Sequence, residues 1–409
     1  MPLTPCQQIA LDKIKKNHNI FLSGIAGTGK SYLVRQVIKG LDRKAFPVLA
    51  STGAAAVIIG GRTFHSFFGL GIMEGGFEGT VQKASQDKRL KGRLRKMEGL
   101  VLDEVSMIPS PAFEAAEKIC RLVLKDNRPW GGKRLICVGD FAQLPPISAN
   151  SRTKDWAFLS HAWQQTEFEN ILLKTIVRTR EKEFIDVLNE IRIARPTSLA
   201  RDFLNSKTEP FVEDYDGTCL FPRRQQTDGF NIKKLAQIDS APRIFPTKYE
   251  GRKEAIESLK KQAPIPPVLE LKIGALVMLR QNDPAYRFIN GTTGHVIDIE
   301  TDRISIELKN KRVIEVEPSE FSLLDADGEV AASAFNFPLC LAYALTIHKA
   351  QGTTLDEALI DLRNLWEPGQ AYVALSRLSS SDGLKLIGWD ESSILADEQV
   401  TRFYENIER

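Results

Sequence analysis

The stretch Ile20-Phe21-Leu22-Ser23-Gly24-Ile25-Ala26-Gly27-Thr28-Gly29-Lys30-Ser31 reads as a buried strand running straight into a phosphate-binding loop. Gly24, Gly29, Lys30 and Ser31 fill the pattern G-x-x-x-x-G-K-[ST]. A backbone that curls around a phosphate with its N–H groups pointing inward partly requires positive φ and leaves no room for Cβ, hence the glycines, Gly27 among them. Gly27 and Thr28 complete the cradle, Lys30 is the candidate for the β- and γ-phosphates, and Ser31 the candidate Mg²⁺ ligand. Leu33, Val34, Val37 and Ile38 follow at helical spacing, so the loop opens a helix whose dipole favours an anion.

Working outward, 409 residues exceed one ordinary core, and two or three domains are expected. A hydrophobic fraction of 43% and a charged fraction of 26% are those of a globular chain that folds in water. Net charge is only +3, so a nucleic-acid partner has to be argued from local patches. Five scattered cysteines with no C-x-x-C pair suit a reduced compartment without a zinc site. No apolar run approaches the ~20 residues that span a bilayer, and Met1-Pro2-Leu3-Thr4-Pro5 has no signal or transit pattern. The expectation is a cytoplasmic protein, nucleoid-associated if the host is bacterial, with no membrane contact.

Leu3 to Lys16 predicts a short helix capped by Thr4, with Pro5 in its first turn. Gln7 lies far enough upstream of the loop for its amide to return over an adenine, whose N6 donor and N7 acceptor an amide can match. Pro47-Val48-Leu49-Ala50 is a second strand, followed by Ser51-Thr52-Gly53 and a helix from Ala54. Strand-loop-helix repetition of this kind predicts a parallel sheet with ligands at the strands' C-terminal ends. Thr63-Phe64-His65-Ser66-Phe67-Phe68 gathers hydroxyls, an imidazole and aromatics; Phe67 and Phe68 suit either a core or a base-stacking platform.

Residues 71 to 99 break this rhythm with a Gly-rich start and a basic run, Lys83, Lys88, Arg89, Lys91, Arg93, Arg95 and Lys96, readable as a solvated face or as phosphate contacts. Leu100-Val101-Leu102 then delivers Asp103-Glu104, two carboxylates that are costly beside a buried strand unless they have partners or work. Behind a phosphate loop that work is defined: Asp103 holds the Mg²⁺ water shell and Glu104 activates the attacking water. Arg134 to Val138 forms another strand, ending at Gly139-Asp140-Phe141-Ala142-Gln143 where Gln143 can sense a γ-phosphate. A second domain is read from about residue 172, with Arg178 near its start. From Pro264-Ile265-Pro266-Pro267 the texture turns to short alternating strands, a small antiparallel barrel. The α/β texture returns at Tyr343 and runs through Thr346-Ile347-His348-Lys349-Ala350-Gln351-Gly352 to Ala371-Tyr372-Val373-Ala374-Leu375-Ser376-Arg377.

This ordered set of blocks resembles the superfamily 1B helicases, most closely the Pif-type (petite integration frequency) DNA helicases, with RecD-like relatives, over nearly the whole chain. The resemblance implies an α/β fold of two RecA-like P-loop domains with parallel sheets, a small wedge insertion and an inserted SH3-like β-barrel. The implied divisions are 1–171 for the first domain with the wedge at about 71–99, 172–264 with 338–409 for the second, and 265–337 for the barrel.

The same resemblance implies an ATP-dependent, DNA-stimulated enzyme that moves 5′ to 3′ on single-stranded DNA and unwinds forked or tailed duplexes, with ATP and Mg²⁺ as cofactors. A monomer is expected, and G-quadruplex DNA is a candidate partner. It casts Gln7 as adenine reader, Gly24, Gly27, Thr28, Gly29, Lys30, Ser31 and Gly352 as nucleotide contacts, and Ser31 and Asp103 as metal ligands. Lys30, Glu104, Gln143, Arg178 and Arg377 become the hydrolytic set, the arginines being supplied across the domain cleft. Thr52, Gly53, His65, Phe67, Thr346, His348 and Lys349 line the DNA track. Thr179, where relatives carry glutamine, departs from the pattern, and the basic Arg223-Arg224 pair has no assigned role. The competing reading is a P-loop ATPase switch or nucleoprotein remodeller that binds DNA without unwinding it.

Overall fold

The computed structural model describes residues 3–16, 18–71, 73, 75–146, 154–211, 214–283 and 287–408. Met1 and Pro2 of the opening stretch lie outside the described residues.

Thr4 caps α1 (Pro5–Ile14) in a capping box with Gln7, whose side chain accepts from the Thr4 N–H. β1 (Ile20–Gly24) leads through the phosphate loop into α2 (Lys30–Lys39). The first unit continues through β2 (Val48–Ala50), α3 (Gly53–Ile59), β3 (Arg62–Thr63), α4 (Phe64–Phe68), α5 (Gly76–Gln86), α6 (Lys88–Lys96), β4 (Gly99–Asp103), α7 (Ser110–Leu124), β5 (Arg134–Val138), α8 (His161–Gln165) and β6 (Glu169–Leu173). Its strands pair in parallel in the order β3-β2-β4-β5-β1-β6.

Successive side chains of a strand point to opposite faces, so a sheet covered on both sides reads as an unbroken apolar run. Phe21, Leu49, Leu102 and Cys137 pack on one face with Phe113, Ala116 and Cys120 of α7. Ile20, Leu22, Val101, Ile136 and Val138 pack on the other with Ala10, Ile14, Leu33 and Val37. β6 pairs with β1, Leu173 opposite Gly24, so this sheet extends past the expected division at 171.

The second unit opens with α9 (Lys182–Arg192), α10 (Ser198–Ser206), β7 (Cys219–Phe221) and α11 (Arg224–Ala236). It is interrupted by β8 (Arg243–Pro246), β9 (Lys248–Gly251), α12 (Lys253–Gln262), β10 (Val268–Leu271), β11 (Leu276–Leu279), β12 (Thr293–Ile299), β13 (Ile304–Leu308), β14 (Val313–Val316), β15 (Ser319–Leu324), β16 (Val330–Asn336) and β17 (Leu339–Leu341). These short strands form antiparallel sheets in the orders β14-β13-β12-β11-β17, β15-β16-β9 and β10-β8, consistent with an SH3-like insert.

The insert begins at Arg243 and ends at Leu341, wider than the expected 265–337, because β8 and β9 pair with β10 and β16. Both early strands are largely exposed, so they lack the alternating apolar pattern that marked the later ones. The chain then completes a parallel sheet of order β18-β7-β19-β20 with β18 (Ala344–Thr346), α13 (Ile347–Ala350), β19 (Ala358–Leu362), α14 (Gln370–Leu375) and β20 (Leu384–Trp389). The last helix, α15 (Glu398–Ile407), returns to the first unit, where the Phe403 ring lies 4.4 Å from that of Phe158.

The basic segment 71–99 contains α5 and α6, whose Val81, Ala84, Leu90 and Leu94 join the core beneath α7. Part of its charge is spent within the protein: Arg93 pairs at 2.7 Å with Asp327, in the turn between β15 and β16, and donates to the Phe67 carbonyl.

Candidate nucleotide and DNA site

β1, β4 and β5 are neighbours, so the residues at their C-terminal ends converge without further instruction from the sequence. Gly27 and Gly29 take φ of 84° and 81°. The loop is packed from both sides: a Cβ on Gly29 would lie 2.4 Å from the Gln7 amide nitrogen, and one on Gly27 would lie 2.8 Å from Arg178 Cβ. Lys30 Nζ donates to the Gly24 carbonyl at 2.7 Å, and burial lowers its pKa.

Gln7 lies over the loop, but both ends of its amide are engaged: the oxygen by Thr4, the nitrogen by the Thr28 carbonyl at 2.9 Å. To read an adenine it must exchange these partners. Ser31 is exposed at the first turn of α2, and Gly352 has φ of 77° with open space around it, two positions that backbone packing leaves accessible.

Asp103 ends β4, and Glu104 follows in the left-handed region at φ 53°, an uncommon conformation for a non-glycine residue and a local strain. Burial, then the neighbouring Glu104, pushes the Asp103 carboxyl up to about 7. Burial also raises Glu104, against the pull of Lys30 and Arg377. Two carboxyls that burial shifts toward their protonated forms, with Lys30 close by, fit a site that a divalent cation and phosphates would complete. Among the described residues no group of three His, Cys, Asp or Glu side chains could hold a metal by itself. A cation there would share protein and phosphate ligands, as Mg²⁺ does.

From the second unit come Gln351 and Arg377, and from the segment between β6 and α9 comes Arg178. Arg178 donates to the Ser376 carbonyl, and its N–H and that of Val177 reach the Gly27 carbonyl. Burial lowers its pKa to about 10. Arg377 is held by the Val373 carbonyl at 2.8 Å and the Ser376 hydroxyl at 2.8 Å; burial, then Arg178, lowers it to about 9. Two guanidiniums are thus held together away from water, which favours an anion between them. Gln351 Nε2 reaches both Glu104 and Gln143 at 3.4 Å, bridging the cleft.

Behind these lies a buried cluster outside the expected set. Asp140 is fully enclosed and accepts from Arg192 at 3.2 Å, from Tyr404 at 3.0 Å and from Tyr372 at 3.4 Å. Tyr372 also accepts from the Ala26 N–H of the phosphate loop at 2.7 Å, and Tyr404 pairs with Ser23 at 2.8 Å. Burial alone would raise the Asp140 carboxyl, but Arg192 and Lys30 hold it below its usual range. Asp140, Tyr372 and Gln351 lay in quoted motif blocks without a role; Arg192 and Tyr404 carried no local signal at all.

The residues expected along DNA fall into two groups. Thr52 caps α3, Gly53 is its first residue, and Thr346 caps α13, each helix following a parallel strand of its own sheet. His348 and Lys349 are exposed beside Thr346, while burial lowers the pKa of His65. Phe67 departs from expectation as a stacking platform: its ring is wholly enclosed against Phe68, with Arg62 and Arg93 over it, so no base can reach it.

Against known proteins, a sequence profile described as PIF1-like helicase matches residues 2–199. A Bdellovibrio bacteriovorus protein named ATP-dependent DNA helicase Pif1 is 50% identical over 406 residues, covering 99% of this chain and 92% of its own. A Danio rerio protein of the same name is 32% identical over 98% of this chain, which spans 64% of that relative. Bacteroides sp Pif1 in complex with ADP-AlF4 superposes with a TM-score of 0.86 at 28% identity, covering 100% of this chain and 97% of that one. Bacteroides Pif1 bound to ssDNA superposes with a TM-score of 0.66 at 28% identity, covering 99% and 97%. Two RecA-like sheets, a barrel inserted into the second and near-complete alignment with these relatives identify the chain as a member of the PIF1-like helicase family.

Proposed function

We propose that the chain is an ATP-driven motor that moves 5′ to 3′ on single-stranded DNA and unwinds forked or tailed duplexes, with hydrolysis coupled to closure of the two units. The observation that carries it is the composite site: Glu104, Gln143 and Lys30 on the first unit face Gln351 and Arg377 on the second, with Arg178 on the segment that joins the two. A pure switch has less need of a hydrolytic set divided between two bodies.

In this reading Glu104 accepts the proton of the attacking water, its basicity raised by burial. Gln143 and Gln351 orient that water and the γ-phosphate. Lys30, Arg178 and Arg377 balance the charge that develops on the phosphate oxygens, and the two arginines do so fully only when the cleft is closed. Ser31 and Asp103 would hold a Mg²⁺ ion, which when bound draws charge from the β- and γ-phosphates. Domain movement is supported by the relatives: the Bacteroides protein superposes at 0.86 with ADP-AlF4 but at 0.66 when bound to ssDNA. Thr52, Gly53, His65, Thr346, His348 and Lys349 supply hydroxyls, amides and cations for phosphates without reading sequence, as a motor requires.

The test is steady-state ATP hydrolysis with and without single-stranded DNA, for wild type and Glu104→Gln, beside unwinding of 5′-tailed and 3′-tailed duplexes. Several-fold stimulation by DNA, loss of turnover in Glu104→Gln and unwinding from the 5′ tail alone are expected. Hydrolysis indifferent to DNA, with neither tail unwound, would refute the motor.

A further inference from the structure

The segment between β19 and α14 is pinned along its length. Leu365 is buried, and its N–H donates to Ser393. The Trp366 and Glu367 N–H groups both donate to the carbonyl oxygen of the Gln370 side chain, itself wholly buried, at 3.0 and 3.2 Å. Gly369, at φ 78°, abuts the first unit so closely that a Cβ would lie 2.5 Å from the Gln143 carbonyl oxygen. From this fixed backbone the Trp366 side chain projects outward, 49% exposed, whereas Trp130, Trp156 and Trp163 are buried. An indole on a rigid support pays little entropy when a flat partner covers it.

Two neighbours indicate the partner. The Arg223 guanidinium lies 5.7 Å from the centre of the Trp366 ring, at the end of β7, while Arg224 pairs with Asp228 instead. On the other side Glu367, the residue after Trp366, reaches His348 at 3.3 Å, which ties this segment to α13, the helix that carries His348 and Lys349. β7, β18 and β19 are adjacent and parallel, so Arg223, His348 and Trp366 all leave the same edge of the second sheet. An aromatic face, a guanidinium that can stack or bind phosphate, and an adjoining row of phosphate-contacting groups are the components of a site for an unstacked nucleotide.

We propose that Trp366 and Arg223 form a base-stacking clamp for one nucleotide of single-stranded DNA, Trp366 taking the base and Arg223 the adjoining phosphate. The clamp rests on the DNA-track reading of Thr346, His348 and Lys349, and extends that track to the β19–α14 segment. It reads no sequence, since every base has a π-face. Because the same segment abuts Gln143 through Gly369, occupancy of the clamp is coupled sterically to the γ-phosphate side of the cleft.

The test is binding of a fluorescein-labelled oligo-dT by anisotropy across a salt series, together with intrinsic tryptophan emission on titration with unlabelled oligo-dT. Trp366→Ala is expected to weaken binding roughly 5- to 150-fold, the range for loss of one stacked base, with the salt slope unchanged. Arg223→Ala is expected to weaken binding and reduce the salt slope by about 0.7, the single-strand value for one phosphate contact. Trp366→Phe is expected to bind within about threefold of wild type, on the same stacking argument, but to lose the DNA-induced quench of emission. Equal affinity for Trp366→Ala and wild type, or a quench that persists in Trp366→Phe, would overturn the clamp. If wild type itself fails to bind oligo-dT, the DNA-track reading falls first and takes the clamp with it. Unchanged thermal melting of Trp366→Phe guards against a folding artefact.

Discussion

Replacing Arg192 by methionine isolates the buried cluster behind the phosphate loop. Methionine keeps much of the apolar stem and its packing on the Tyr404 ring, which the guanidinium carbon now covers at 4.3 Å. What is lost is the cation bonded to Asp140, a carboxylate with no exposure to solvent. Tyr372, Tyr404 and the Ala142 N–H still donate, but neutral donors offset only part of the cost of a buried charge. Breaking a buried pair at one end costs roughly 3–5 kcal/mol, and the lost cation–π contact about 1 kcal/mol more.

The pH dependence has a definite sign. In wild type Arg192 and Lys30 hold the Asp140 carboxyl low despite burial, so the stabilisation is present above the usual carboxylate pKa and is lost as pH falls through the depressed one. In Arg192→Met burial is opposed only by Lys30 and neutral donors, the Asp140 pKa rises, and the variant's deficit shrinks as the carboxyl takes up a proton on acidification. Urea unfolding at pH 8 and pH 5.5, for wild type, Arg192→Met and Arg192→Met/Asp140→Asn, reads all of this. The single variant is expected to lose several kcal/mol at pH 8 and less at pH 5.5, and the double variant to recover most of the loss. A deficit below about 1 kcal/mol at pH 8, within the range of an exposed ion pair, or a double variant that sums two independent losses, would refute the account of Asp140 as a charge held by Arg192.

Three further outcomes are expected. Mg²⁺ must displace the proton of an Asp103 carboxyl pushed up to about 7, so apparent Mg²⁺ affinity in the ATPase assay should fall as pH drops below 7 and the acid limb should move down with added Mg²⁺; an acid limb independent of Mg²⁺ would contradict this. Gln351→Ala removes the cleft-bridging amide, so kcat should fall about 100-fold or more, the scale for one hydrogen-bond donor aimed at the transition state, with single-stranded DNA affinity nearly unchanged; a change in DNA affinity alone would place Gln351 elsewhere. Gly369→Ala introduces Cβ against the Gln143 and Ala142 carbonyls at a φ of 78°; the left-handed backbone alone costs roughly 1–2 kcal/mol, so the melting temperature should drop by several degrees, and an unaltered melt would show that the segment can move aside.

The sequence by itself determined the phosphate loop, the carboxylate pair and the two parallel sheets, because each is written in contiguous residues: an apolar strand, then glycines or acids at its end. Strand alternation likewise announced β13 and β14 of the insert. Where burial did not alternate, as in the exposed β8 and β9, the pattern vanished and the insert was read as starting late. Phe67 was ambiguous because an aromatic run looks the same whether it faces a core or a base, and only packing against Phe68, Arg62 and Arg93 put it inside.

The site's other half was decided by tertiary structure alone. Arg192 is an ordinary helix arginine and Tyr404 an ordinary tyrosine of an amphipathic helix, until α9 and α15 bring them to Asp140. Nor does anything local mark Trp366 as different from the buried tryptophans; its exposure follows from the pinned segment that holds it outward. Contiguous motifs are legible because the chain's own covalent spacing positions them, whereas contacts between residues 52 or 264 positions apart exist only once two folded units are packed together.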